Sequence, residues 1–264
     1  MKKIYQYILL AVAMVATASC SNELDDTLQP VENGTLQFVV SDFPAFGESG
    51  LTRAIGTQDE GKTAWADGDK IFVHLYSQKY GDQAATLTFD AGSNTWESDD
   101  ASLSYLENET PTITAVYAPD CEIKEGQIAL QDGKQYGEAE YILARTTISE
   151  NSLDINFESG RTYSRLRIVA EAEQTLTVTT TGFTPAGPEN VSAPDSYTLV
   201  ADGKDNAYLY GTFSEGGSVT VKKEDAELAT HTFSVTSEQG KSYALYAGKK
   251  VDVDLSTLAA TYVI

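Results

Sequence analysis

From about residue 35 onward the chain alternates apolar and polar residues in short runs, separated by clusters of Gly, Asp, Asn and Pro. A period of two over four to eight residues marks half-buried strands, because successive side chains on a strand point to opposite faces. Leu36, Phe38 and Val40 open the series, and Ile71, Val73 and Leu75 repeat it. The same pattern predicts strands at 86–89, 112–117, 127–130, 141–147 and 153–157. A second series follows at 163–170, 175–181, 197–200, 207–213, 218–222, 228–235, 242–246 and 251–255. No eleven-residue stretch carries a convincing 3.6-residue apolar stripe, so any helix is expected to be short. Frequent turn signals indicate antiparallel sandwiches, and this many strands exceed one sandwich and suit two. The acidic break Ser149-Glu150-Asn151-Ser152 sets the expected boundary, with sandwiches over 35–150 and 151–264; the strand at 153–157 is assignable to either side.

The N-terminus changes the picture by adding a compartment. Lys2 and Lys3 precede an apolar core, Ile8 to Ala16, which is too short to span a bilayer and reads as a secretory signal over residues 1–19. Thr17-Ala18-Ser19-Cys20 resembles the lipobox of bacterial lipoproteins, whose Cys is acylated and becomes the first residue. Thr17 stands where Leu is commoner, as in the looser lipoboxes of the Bacteroidota. Cys20 is therefore the expected lipidation site, followed by an acidic linker over 20–34. Glu23, Asp25 and Asp26 in that linker resemble the tag that sends such lipoproteins to the outer face of the outer membrane.

Charge and composition then restrict the chemistry. Among 264 residues, 39 Asp and Glu face 18 Lys and Arg, a formal net charge of −21. Such a chain repels phosphate backbones, so a nucleic-acid partner is not expected. An apolar content of 41%, with 15 Tyr and 9 Phe, is too rich for a disordered acidic chain. With Cys20 acylated, Cys121 is the one remaining thiol, flanked by Asp120 and Glu122, and reads as a small buried residue at a strand end. His74 and His231 sit in strands without ligands at metal-like spacing. There is no nucleophile elbow, zinc-protease motif, phosphate loop or dinucleotide fingerprint, so no catalytic residue, metal or cofactor is assigned and the protein is not expected to be an enzyme. Asp67-Gly68-Asp69 and Asp202-Gly203-Lys204-Asp205 read as turns, since neither completes a calcium loop. Tyr208, Tyr210, Tyr243 and Tyr246 form either a sugar-stacking platform or the amphipathic filling of sandwich faces.

One block is specific. Leu51-Thr52-Arg53-Ala54, then Thr63-Ala64-Trp65-Ala66-Asp67-Gly68-Asp69-Lys70-Ile71-Phe72-Val73, resembles the fimbrillin family of Bacteroidota pilus lipoproteins. Trp96, the run Ala115 to Pro119, Ser164-Arg165-Leu166-Arg167-Ile168 and Gly240-Lys241-Ser242-Tyr243-Ala244-Leu245 follow in that family's usual order. Phe157-Glu158-Ser159 departs from it in lacking a His often found before the Arg-Leu strand. The resemblance implies an all-β protein of two transthyretin-like antiparallel β-sandwich domains in tandem. It also implies a surface lipoprotein that joins other subunits into a fimbrium and serves adhesion to a host or bacterial surface ligand. In the family a trypsin-like protease removes the first strand with its lipid, and a strand from the next subunit fills the groove. Here the lost strand would carry Leu36, Phe38 and Val40, cut after Arg53, with Lys62 as a competing site. The donor would be the C-terminal segment, anchored by Val251, Val253, Leu255, Tyr262 and Ile264. The alternative class is a glycan-binding outer-membrane lipoprotein, for which an exposed coplanar cluster of Trp and Tyr would speak.

Overall fold

The computed structural model describes residues 36–48, 62–99, 103–105, 109–124, 127–149, 152–158 and 160–248. Every regular element among them is a β-strand, and the chain divides into two compact units. Unit 1 comprises residues up to Pro44 together with Ala64–Lys134 and Ala139–Arg161; unit 2 comprises Ala45–Thr63, Gln135–Glu138 and the chain from Thr162 onward.

Unit 1 holds a five-stranded and a three-stranded sheet. The larger is antiparallel, in the order β5 (Thr95–Ser98), β4 (Gly81–Asp90), β3 (Lys70–Ser77), β6 (Thr112–Tyr117), β9 (Ile142–Leu143). The smaller runs β1 (Gln37–Val40), β11 (Ser152–Asn156), β10 (Arg145–Ser149), so the strand that the sequence left assignable to either side lies in unit 1. Ile71, Val73, Leu75 and Leu87 from the larger sheet and Leu153 and Ile155 from the smaller are almost completely buried. Phe72 points to the opposite face of β3. There, with Val116, Ala118 and Cys121, it packs beneath the hairpin of β7 (Cys121–Lys124) and β8 (Gln127–Leu130). The hairpin therefore gives β3 a second buried face, which is why its burial is nearly continuous and not alternating.

Unit 2 is built on one seven-stranded sheet. Its path is β14 (Tyr197–Val200), β13 (Thr175–Pro185), β15 (Asn206–Lys223), β12 (Ser164–Val169), β17 (Lys241–Tyr246), β2 (Gly47–Glu48), and β16 (Ala226–Thr232) pairs with β15 off that path. β15 is a single strand of 18 residues where two were expected around Ser214-Glu215-Gly216-Gly217. The alternation explains this: Ala207, Leu209, Phe213, Val219 and Val221 are all odd-numbered and all buried, so the phase is unbroken across the glycines. Its first half pairs with β12 and its second half with β16. Inward residues from both halves meet in one core with Leu166, Leu176, Val178 and Tyr197, so the sheet curls over itself.

The curl has a local cause in β13. Leu176 and Val178 are buried on even positions, but Phe183 and Pro185 on odd ones, and the register shifts between Thr181 and Phe183. Gly182 lies in that bulge at φ 59°. A Cβ there would meet Ser214 Oγ at 2.5 Å and Gly217 Cα at 3.0 Å, so Gly182 supplies both the left-handed backbone and the clearance.

Gly182→Ala is accordingly expected to destabilise unit 2 by about 1–3 kcal/mol. Gly203→Ala, at a glycine with open space around it, should stay within about 0.5 kcal/mol. Urea denaturation of the two variants checks this, and equal midpoints would show that the bulge tolerates a side chain.

Candidate functional site

The site builds outward from Trp65. The turn after it is closed by Asp69, whose Oδ2 accepts the Ala66 N–H at 2.7 Å, and Gly68 supplies φ 80°. Asp67 Oδ1 accepts the Ala91 N–H at 3.1 Å, so both carboxylates of this Asp-Gly-Asp are engaged by backbone. Ile71 and Val73 then enter the core. The turn at Asp67-Gly68-Asp69 and the inward Ile71 and Val73 match the sequence reading, while the Asp67 bond to Ala91 was not foreseen. Trp65 itself is half-buried at the hub of an aromatic cluster, edge-on to Trp96 and Phe43 at 5.0 Å, Tyr117 at 5.2 Å and Phe157 at 5.5 Å. Edge-to-face pairs of this kind add about 0.5–1.5 kcal/mol each beyond burial. Burial, then the nearby Glu140 and Asp69 carboxylates, pushes the Tyr117 phenol far above its ordinary range, so this ring stays neutral.

Phe43 brings the first strand to that hub. β1 lies parallel to β11, with Gln37 opposite Ser152 and Val40 opposite Ile155, and among the described residues it pairs with no other strand. Leu36 is buried at one end and Phe43 at the other. Between them Ser41 is fastened at three atoms. Its N–H donates to the Ile155 carbonyl at 2.9 Å, and its carbonyl accepts the Trp65 Nε1–H at 2.8 Å. Its hydroxyl oxygen accepts the Phe157 N–H at 2.9 Å. Arg161 completes the seat: its guanidinium lies 5.3 Å from the Phe43 ring centre, its Nε donates to the Pro44 carbonyl, and it pairs with Glu140 at 2.6 Å. The side chains of that ion pair are only 5% and 12% exposed, so the two charges depend on each other.

In unit 2 the next residues of the same segment are held in a similar way. β2 pairs in parallel with β17, Gly47 opposite Lys241, and the Gly47 N–H donates to the Gly240 carbonyl at 2.9 Å. Arg165 lies 4.9 Å from the Phe46 ring centre and 5.3 Å from that of Tyr208, and its Nε donates to Ser242 Oγ at 3.0 Å.

The remaining sequence candidates separate. Cys121 is buried at the start of β7 and its thiol is pushed up to about 11, first by burial and then by Asp120, so it is protonated at neutral pH. It lines a cleft of about 460 Å³ with Lys70, Phe72, Thr86 and Gln131. His74 Nε2 hydrogen-bonds to Asp82 at 3.0 Å, and His231 is edge-on to Phe233 at 4.8 Å. In the Asp202 turn, Asp202 Oδ1 accepts the N–H groups of Lys204 and Asn206, which is turn chemistry. Tyr246 lies opposite Val169, and the other three tyrosines divide between two faces. Tyr208 and Tyr210 stack at 6.1 Å beside Arg165, whereas Tyr243 lies opposite Leu166 and packs on the core. No group of three potential metal-ligating residues occurs among the described residues. Cys20, Arg53, Val251, Val253, Leu255, Tyr262 and Ile264 lie outside the described residues.

Sequence reasoning missed Ser41, Glu140, Arg161 and Phe43. The available signal was Phe43-Pro44 just beyond an alternating run; nothing local revealed the partners of Ser41 or Arg161.

No family model matches the chain, and no curated protein matches it. Two similar solved structures are a fimbrial protein from Bacteroides ovatus ATCC 8483 and a candidate cell adhesion protein from Bacteroides fragilis NCTC 9343. The first has 11% identity and a TM-score of 0.41, with 82% of this chain and 49% of that one covered, so the chain spans about half its length. The second has 12% identity and a TM-score of 0.37, with 83% and 94% covered. At these values each is a likeness of outline alone.

Arg161→Ala should cost about 3–5 kcal/mol, because Glu140 would be left buried without its partner. The double variant Arg161→Met/Glu140→Met should recover much of that loss. A urea-denaturation double-mutant cycle reads it, and additive losses would mean that the two charges are not coupled.

Proposed function

We propose that this chain is a fimbrial subunit displayed as a surface lipoprotein, assembled by protease-triggered donor-strand exchange and serving adhesion. Cys20 carries the acyl anchor in the outer membrane. Cleavage after Arg53 frees the segment that includes β1, and the C-terminal segment of another subunit, the same or related, takes its place through Val251, Val253, Leu255, Tyr262 and Ile264. The observation that carries this reading is the place of β1. Among the described residues it is an edge strand, parallel to its one neighbour, inserted by burial of Leu36 and Phe43, and joined to the Trp65 block through the stretch that contains Arg53. An edge strand can leave without breaking a ladder on its far side, and its departure exposes a strand edge and an apolar seat. Each refilled apolar position returns about 1.5–3 kcal/mol before ordering costs. The glycan-binding alternative gains nothing from the tryptophans, since Trp65 and Trp96 are edge-on to each other and half-buried, and its remaining candidate is the half-buried stack of Tyr208 on Tyr210.

Trypsin treatment of the purified precursor, read by mass spectrometry and electron microscopy, should give a new N-terminus at Ala54 and filaments. Arg53→Ala/Lys62→Ala should block both. Val253→Asp places a charge in an apolar seat and should abolish filaments while leaving the monomer folded. Normal filaments from all of these variants would remove the donor-strand account. In cells, a palmitate analogue should label the wild type and not Cys20→Ala; equal labelling would remove the anchor.

A further inference from the structure

The seat of the first strand makes four apolar demands and one polar demand, at fixed spacing. Leu36, Phe38, Val40 and Phe43 occupy the first, third, fifth and eighth positions; Leu36 and Phe43 are buried, and Phe38 and Val40 are half-buried. Gln37 and Val39, between them, are exposed. Most of the polar fastening uses backbone atoms that any residue supplies. The exception is the sixth position, where the Ser41 hydroxyl accepts the N–H of the fully buried Phe157. A strand without a side-chain acceptor there leaves that donor unsatisfied.

The C-terminal segment contains the same pattern once. Val251, Val253, Leu255 and Leu258 have the spacing of Leu36, Phe38, Val40 and Phe43, and Ser256 falls at the position of Ser41. Asp252 and Asp254 fall at the exposed positions of Gln37 and Val39. The competing register, with Leu255 at the position of Leu36 and Tyr262 at that of Phe43, puts Thr257 and Ala259 at the positions of Phe38 and Val40 and Ala260 at that of Ser41. It has no hydroxyl for Phe157. We infer that the register of donor-strand addition is Val251–Leu258 of a second copy over the seat of Leu36–Phe43, with the Ser256 hydroxyl accepting the Phe157 N–H and Leu258 filling the Phe43 slot beside Trp65. This rests on the donor-strand reading above. It adds Ser256 and Leu258 as the residues by which the seat recognises its own chain.

The parallel pairing makes the register directly measurable. Val39 lies opposite Asp154, and both are exposed, so Asp254 of the incoming copy comes opposite Asp154. Asp154→Cys combined with Asp254→Cys should give an intersubunit disulfide in trypsin-processed, assembled protein, identified by mass spectrometry of the linked peptides. Asp154→Cys with Leu258→Cys should not. Ser256→Ala should slow assembly about tenfold, with Ser256→Thr restoring it. A 258–154 link in place of the 254–154 link would overturn this register and leave donor-strand addition standing. So would assembly indifferent to Ser256→Ala. Absence of both links together with absence of filaments in the wild type would remove the donor-strand reading itself, and this inference with it.

Discussion

The same short stretch of chain, the first in sequence among the described residues, completes both units. Leu36–Pro44 closes unit 1 against residues as far along as Arg161, 117 positions from Pro44, and Ala45–Glu48 adds the last strand of unit 2 beside β17. Contacts so distant in sequence require closing very long loops, an entropy cost that is smaller once the strands they join are already in place. The segment is thus a finishing piece. The β3–β4 hairpin and the β10–β11 pair can form from local chain without it, whereas its ladder partners among the described residues, β11 and β17, are far along the chain.

What holds the finishing piece and what selects it are different interactions. Net backbone hydrogen bonds contribute about 1 kcal/mol each, and any strand can make them. Burial of an aromatic ring such as Phe43 against Trp65, Tyr117 and the Arg161 guanidinium is larger, about 3–5 kcal/mol by the usual cost of truncating such a ring. Apolar burial therefore wins on strength, but it is tolerant of shape and so accepts many strands. Selection falls to the group that an arbitrary side chain cannot satisfy: the Phe157 N–H, which needs a side-chain acceptor at the place of Ser41, whereas Arg161 takes a backbone carbonyl that any strand supplies.

This division also explains what could be read from the sequence. Alternation located most strands of both units because each buries one face, and a buried face imposes its period on the side chains. It misled at β15, where Ser214-Glu215-Gly216-Gly217 carries turn chemistry although the ladder to β13 resumes beyond it in the same phase, and it missed β7, whose Cys-Glu-Ile-Lys is too short to show a period. The Trp-x-x-Gly-Asp turn was legible because its partners lie three residues apart. Ser41 was not, because a serine after Val40 looks like any strand end and its meaning lies 116 residues away. Cys20, Arg53 and the C-terminal segment fall outside the described residues, and the parts proposed for them are read from the sequence.

Charge sets a last constraint on what can fill that seat. Under the proposed donor-strand exchange, a chain with 39 acidic and 18 basic residues repels its own copies on approach, but at physiological salt the repulsion fades over about 8 Å, so that association would be won at contact. Strand addition meets that condition because it brings apolar side chains into a closed seat while leaving charges wet. In Val251-Asp252-Val253-Asp254-Leu255 the acids occupy the alternate positions, which in β1 belong to Gln37 and Val39. Val39 is 55% exposed, an apolar side chain on a strand that is an edge among the described residues, and such edges invite indiscriminate pairing. An aspartate at that position faces Asp154 across the pair, a like-charge cost moderated because both positions are exposed, but it keeps the edge solvated and charged, so a strand that replaces β1 would bury what β1 buries and present less for a third chain to add to.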